Sequence, residues 1–175
     1  MLVTATLIGS GFAVVGAAAP ALAETPTGDV FVSDLPWLDQ SNGWGPIERD
    51  SSNGEAAAGD GRPITIGGVV YDKGIGMHAT GALSVELGAN CTSFSAFVGL
   101  DDEVTSGVGT TRFQVYGDGR LIAESPVLTG NDAPYELAAD VTDVEVLRLV
   151  ANEATNGKNF DHADWADAKL SCNAG

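Results

Sequence analysis

The sequence predicts an all-β fold, an antiparallel sandwich, on three observations. Short stretches of alternating or β-branched apolar residues recur along the chain. Turn-forming pairs separate them, within a total of 23 glycines among 175 residues. No stretch carries an apolar repeat of helical period long enough to pack as a helix.

The elements follow in order. Val30-Phe31-Val32 opens a first strand. Ile64-Thr65-Ile66 and Val69-Val70-Tyr71 flank Gly67-Gly68, a pair that tolerates the positive φ angles of a tight hairpin. Ala82 to Leu87 alternates, and from Phe94 to Leu100 the residues Phe94, Ala96, Val98 and Leu100 share one face. Arg112 to Tyr116 and Leu121 to Ala123 flank Gly117-Asp118-Gly119-Arg120, a second hairpin signal. Tyr135 to Ala139, Val144 to Ala151 and a closing strand from Ala166 to Cys172 complete the set. No linker or internal repeat divides residues 30–173, so they read as one domain.

Residues 1–23 read as a signal peptide. Leu2 to Leu22 holds no charge and ends in Ala21-Leu22-Ala23, the small-x-small pattern a signal peptidase accepts. No Lys or Arg precedes this run, and a membrane anchor is the alternative. Its Ala and Gly content and Pro20 favour cleavage, with residues 24–29 an exposed start and the product secreted. Because residues 1–23 carry no charge, the whole net charge of −16 falls on the remainder. Such a surface repels phosphate backbones and anionic lipid, which excludes nucleic acid and membrane insertion and leaves neutral ligands and cations. A chain 44% hydrophobic is also too apolar for disorder. In an oxidising compartment Cys91 and Cys172 are expected to form a disulfide. The domain is expected to act as a monomer.

Three stretches carry more polar and aromatic residues than a sandwich core needs: 33–50, 74–79 with 99–103, and 160–170. Asp101, Asp102 and Glu103 crowd one loop at a strand end, where Arg112, a cation or hydrogen-bond donors must offset their repulsion. They read either as a sugar- or metal-binding loop or as a solvated acidic turn. The two histidines, His78 and His162, lie in no nucleophile or zinc motif. Extending the period of two backwards along the closing strand, with Ala166 and Leu170 inside, puts Asp164 and His162 on the inner side, at the mouth of the sandwich. An inward carboxylate there needs a cation or amide N–H groups. Of Trp37, Trp44 and Trp165, Trp44 is expected exposed because Gly and Pro surround it; indole faces stack on the C–H faces of sugars.

The motifs SDLPWLDQSNGWGPIERDSS, PITIGGVVYDKGIGMHA, VGLDDEV, FQVYGDGRLI and DHADWADAKL resemble, in order, those of the NPCBM domain, carbohydrate-binding module family 51. The resemblance spans about the whole of residues 30–173. It implies a galactose-binding-domain-like jelly roll, non-catalytic binding of galactose-containing glycans, and a structural calcium. It also implies Trp44, Glu48, His78, Asp101, Asp102 and Glu103 as the sugar-facing set, with Asp34 and Asp164 as candidates for calcium or loop anchoring. A small glycoside hydrolase using Asp101 and Glu103, and a protein-binding adhesion module, are the alternatives.

Overall fold

Alternation of apolar and polar residues commits each strand to one buried face, and the two largest sheets pack those faces together. The computed structural model describes residues 24–54, 56–104 and 107–174; the expected signal peptide, residues 1–23, lies outside the described residues. In chain order the strands are β1 (Asp29–Phe31), β2 (Asp39–Ser41), β3 (Glu48–Arg49), β4 (Ile64–Ile66) and β5 (Val69–Tyr71). There follow β6 (Gly74–His78), β7 (Gly81–Glu86), β8 (Cys91–Leu100), β9 (Thr110–Gly117) and β10 (Arg120–Glu124). The last are β11 (Leu128–Thr129), β12 (Tyr135–Asp140), β13 (Val146–Glu153) and β14 (His162–Cys172). The only helix among the described residues is one 3-10 turn, Val32–Asp34.

The first sheet runs β12-β8-β14-β6-β3, with β1 beside the second half of β14; the second runs β10-β9-β13-β7-β2, with β11 on β9. All of these pairings are antiparallel. Both expected hairpins form, and their turns need the residues they have. Gly67 and Gly68 sit at φ +55° and +81°, Asp118 and Gly119 at +49° and +77°. The first strand begins one residue earlier than expected, at Asp29.

The core lies between the sheets. Trp165 of β14 is fully buried and reaches across to Phe113 of β9, edge to face at 5.1 Å between ring centroids, with Phe94 of β8 at 6.2 Å. Leu83 and Val85 of β7, Leu147 and Leu149 of β13, and Phe94 and Val98 of β8 close around them.

One expectation fails on β14. Ala163 and Trp165 face the core, and so do Ala168 and Leu170, an odd spacing across one strand. The ladder with β8 shifts between Ala166 and Lys169, and Asp167 stands there at φ +48°. This β-bulge inserts a residue and reverses which side chains point inward. Asp164, His162 and Ala166 therefore lie on the outer face of the first sheet, not in the sandwich. Asp164 is nevertheless buried, because the β4–β5 hairpin and the 51–54 segment cover that face.

Cys91 and Cys172 form a disulfide across β8 and β14, 81 residues apart. A closed loop of this length removes about 4.5 kcal/mol of unfolded-chain entropy. Reduction, or Cys91→Ser with Cys172→Ser, should lower the unfolding free energy by about 2–4 kcal/mol in chemical denaturation. The folded circular dichroism spectrum should stay unchanged.

Candidate carbohydrate-binding site

The antiparallel pairing of β14 with β6 and β8 brings parts of the three polar stretches to one end of the first sheet. There β6 ends at His78, β14 begins at His162 opposite it, and β8 runs out into Asp101, whose N–H donates to the His162 carbonyl. The 42–46 loop, leading into β3, completes the row by donating from Gly43 N–H to the His78 carbonyl.

That loop is stiff. Asn42 accepts from His78 N–H through Oδ1 at 2.7 Å and donates through Nδ2 to the carbonyls of Trp44 and Pro46. Asn53 Nδ2 reaches the same two carbonyls from the far side, at 3.2 and 2.9 Å. Gly43 is required because a Cβ there would overlap the Ala79 carbonyl. The backbone is thus held on both flanks while the Trp44 indole projects outward, 52% exposed as expected. The other tryptophans are occupied. Trp165 is core, and Trp37 lies under the Arg49 guanidinium at 3.6 Å while donating to the Val32 carbonyl.

A second loop reaches the same segment from the other side. The Asp161 carbonyl accepts from Ala79 N–H, and the adjacent Phe160 stands at φ +69° with its ring 56% exposed. Two exposed aromatic rings therefore hang from loops bonded to residues 78–79. Phe160, Asn42 and Asn53 were not singled out in the sequence; Phe160 sits in a polar run, and the amides have no motif.

His78 is buried, and burial holds its imidazole below the usual histidine range. Its Nδ1 lies 2.8 Å from the Ala79 carbonyl, an acceptor only, so Nδ1 carries the proton and Nε2 the lone pair. The His162 ring stands edge-on at 5.2 Å. His162 Nδ1 donates to Glu103 Oε1 at 2.9 Å and to the Asn53 carbonyl at 3.0 Å.

The acidic loop is resolved residue by residue. Asp101 accepts from Thr65 N–H and Glu103 N–H. Asp102 accepts from Gly67 and Gly68 N–H, gripping the β4–β5 turn. Amide donors and Arg62, 3.9 Å from Glu103, offset the charge here; Arg112 instead approaches Glu124 at 3.8 Å. Asp101 is buried under the hairpin, so it does not face Glu103 across an open cleft as a hydrolytic pair must. Glu48 is also buried, accepting from Gly59 N–H at 2.8 Å.

The two candidate metal ligands have different partners. Asp34 pairs with Lys73, which also holds Asp50 at 2.7 Å. Asp164 stands between Gly76 and Gly99 in the strand ladder, with Ser51–Asn53 packed over Gly76 and Ile66 over Gly99. No donor meets either Asp164 oxygen, the adjacent Asp101 carboxylate being an acceptor itself, and Asn53 Oδ1 is likewise buried without a donor. Burial, then the neighbouring Asp101, raises the Asp164 carboxyl far above the ordinary carboxylate range. Among the described residues no three His, Cys, Asp or Glu side chains are grouped to hold a metal. The buried oxygens of Asp164 and Asn53, beside the Ser51–Ser52 backbone over Gly76, are nonetheless of the carboxylate and amide-carbonyl kind a hard cation takes.

Asp161 is buried and accepts from Thr110 N–H at 2.8 Å; burial pushes its carboxyl up to about 6. A folded-state value above the ordinary 3.8 means that protonation favours folding. That contribution is complete below about pH 4 and lost as pH rises through 6. Asp161→Asn keeps the acceptor for Thr110 and cannot ionise. Its melting temperature, relative to wild type, should rise by about 3–5 °C between pH 4 and pH 7.5 in thermal melts.

Comparison with known proteins agrees with this architecture. Residues 28–171 match the family model described as the NPCBM/NEW2 domain. A Renibacterium salmoninarum protein named "Putative endo-alpha-N-acetylgalactosaminidase" is 39% identical over 95% of this chain, which spans only 11% of that protein's length. The CBM51 of Clostridium perfringens GH95, solved in complex with methyl-galactose, is 33% identical with a TM-score of 0.74. That match covers 82% of this chain and 99% of that one. A C. perfringens ZmpB structure containing CBM51-2 in complex with GlcNAc is 31% identical with a TM-score of 0.74, over 82% of this chain and 31% of that one. These matches are to non-catalytic modules carried by larger enzymes, and this chain belongs to the NPCBM/NEW2 domain family.

Proposed function

We propose that this domain binds terminal galactose or a closely related sugar on glycans, at the sheet end built around Trp44 and His78, and performs no catalysis of its own. The observation that carries the reading is Trp44: a large apolar ring held in water by a backbone locked through Asn42 and Asn53. Burial of that ring is deferred until a ligand supplies the apolar face. Methyl-galactose and GlcNAc in complexes of related modules support a saccharide as that ligand.

The roles divide by geometry. Trp44 stacks on the sugar, with Phe160 across the 78–79 segment, and His78 accepts a hydroxyl proton at Nε2. Glu103, held by His162, accepts another. Glu48, Asp101 and Asp102 set the loops through backbone amides. Secretion through the leader at residues 1–23, and delivery of an attached glycoside hydrolase to its substrate, accompany this role.

Calcium belongs to the same proposal. Asp164 and Asn53 Oδ1, with overlying backbone oxygens, would hold it, and Asp34 serves as a loop anchor through Lys73. Bound there, calcium would supply positive charge to a carboxyl that burial raises above the ordinary carboxylate range, and would tie down the 51–54 segment that Asn53 links to the Trp44 loop.

Two measurements check these readings. Calorimetric titration with methyl galactoside should give a Kd of roughly 0.1–1 mM, as a shallow site allows. Trp44→Ala should weaken it at least tenfold without lowering the melting temperature, and absence of binding to any galactoside on a glycan array would remove the galactose assignment. Millimolar calcium should raise the melting temperature by several degrees over a chelator. In Asp164→Asn that response should vanish; a calcium response that survives places the ion elsewhere.

A further inference from the structure

The outer face of the first sheet carries a second arrangement, away from the loop end. The β4–β5 hairpin covers this face over Gly99 and Ala166, and its Tyr71 reaches as far as the Phe97 ring. Beside it the face opens into a depression of about 320 Å3, within the size range of small-molecule sites.

Strand register dictates what lines it. In one cross-strand row Lys169 of β14 stands between Phe31 of β1 and Ser95 of β8. In the next, Phe97 lies between Ala166 and Glu136 of β12. Phe97 is 36% exposed, its ring propped by Tyr71 at 5.8 Å. The walls are thus aromatic, Phe31 and Phe97, and the polar groups are Lys169, Glu136 and Asp167.

Asp167 is the informative one. It occupies the bulge at φ +48°, a conformation that glycine adopts with less strain. Its carboxylate lines the depression and has no hydrogen-bond or ion-pair partner among the described residues. Burial, and then Asp72, raise it above the ordinary carboxylate range. Asp is among the few non-glycine residues that adopt this conformation, and here it aims its carboxylate at the depression. Strained, desolvated and unpaired groups of this kind gather at binding sites.

We propose that this depression is a second saccharide site, taking one pyranose ring whose C–H face lies on Phe97 and Phe31 while neighbouring hydroxyls donate to Asp167 and Glu136 and accept from Lys169. An anionic ligand is disfavoured by the two carboxylates and by Asp29, already 2.8 Å from the Lys169 ammonium. A purely apolar ligand would leave both carboxylates unsolvated. A neutral ring with one apolar face and a rim of hydroxyls satisfies both. The site shares no residue with the Trp44 end and does not depend on it.

Amide chemical-shift titration of the full chain tests this. The probes are methyl β-galactopyranoside and N-acetylglucosamine, with mannitol as an open-chain polyol, applied to wild type and to Trp44→Ala. Saturable shifts at Ser95, Phe97, Glu136 and Lys169 are expected with at least one pyranose, in both proteins, at millimolar Kd, and none with mannitol. Asp167→Gly should weaken these shifts fivefold or more while the melting temperature holds or rises. If that variant fails to fold, the exposed Glu136→Ala carries the same affinity expectation. The proposal is overturned by no saturable shift with either pyranose, by equal shifts with mannitol, by their loss in Trp44→Ala, or by less than fivefold weakening in the folded variant.

Discussion

The bulge in β14 is the constraint on which the rest of this structure turns. A strand of eleven residues with strict alternation would place either Trp165 or Leu170 outside the core. The extra residue at Asp167 lets the strand bury large side chains along its whole length, first Ala163 and Trp165, then Ala168 and Leu170. The same shift turns Asp164 and Ala166 outward, so that face cannot be left to solvent. It is covered by a hairpin and a loop, which places the segments around Asn53 and Asp101 next to His78 and His162.

Carboxylates hold that cover in place. In so acidic a protein, burying Asp101 and Asp161 is affordable only because backbone N–H groups meet them. Asp102 does the same for the turn at Gly67 and Gly68, two residues whose positive φ angles leave their N–H groups pointing at one acceptor. Asp164, with no such donors, is the exception that stands out.

Much of the architecture was legible in the residues. The Gly67-Gly68 and Asp118-Gly119 turns, the alternation from Phe94 to Leu100 and the cysteine pair each follow from local chemistry, and the fold agrees with them. Trp44 is exposed for the reason its Gly and Pro neighbours suggest. The inward placement of Asp164 was misread because counting by twos assumes an unbroken strand, and a bulge at a non-glycine residue leaves no composition signal. The partners of Asp101 and Asp102 were hidden for another reason. Apart from Glu103 N–H, the donors are backbone amides some 35 residues away, which carry no side-chain signature and become visible only once the chain is folded. Arg112 looked available by proximity in sequence, yet its strand directs it to Glu124.

The antiparallel course of β14 also determines how the module would hang from a longer polypeptide. His162 begins the strand among the Trp44 and His78 loops, and Cys172 ends it some 30–35 Å away at the usual strand rise. There Gly28 and Asn173 are hydrogen-bonded to each other, so the chain enters and leaves at one pole. Whatever is joined to either side approaches from that pole, and the opposite one, with its two aromatic rings, stays free to meet a surface.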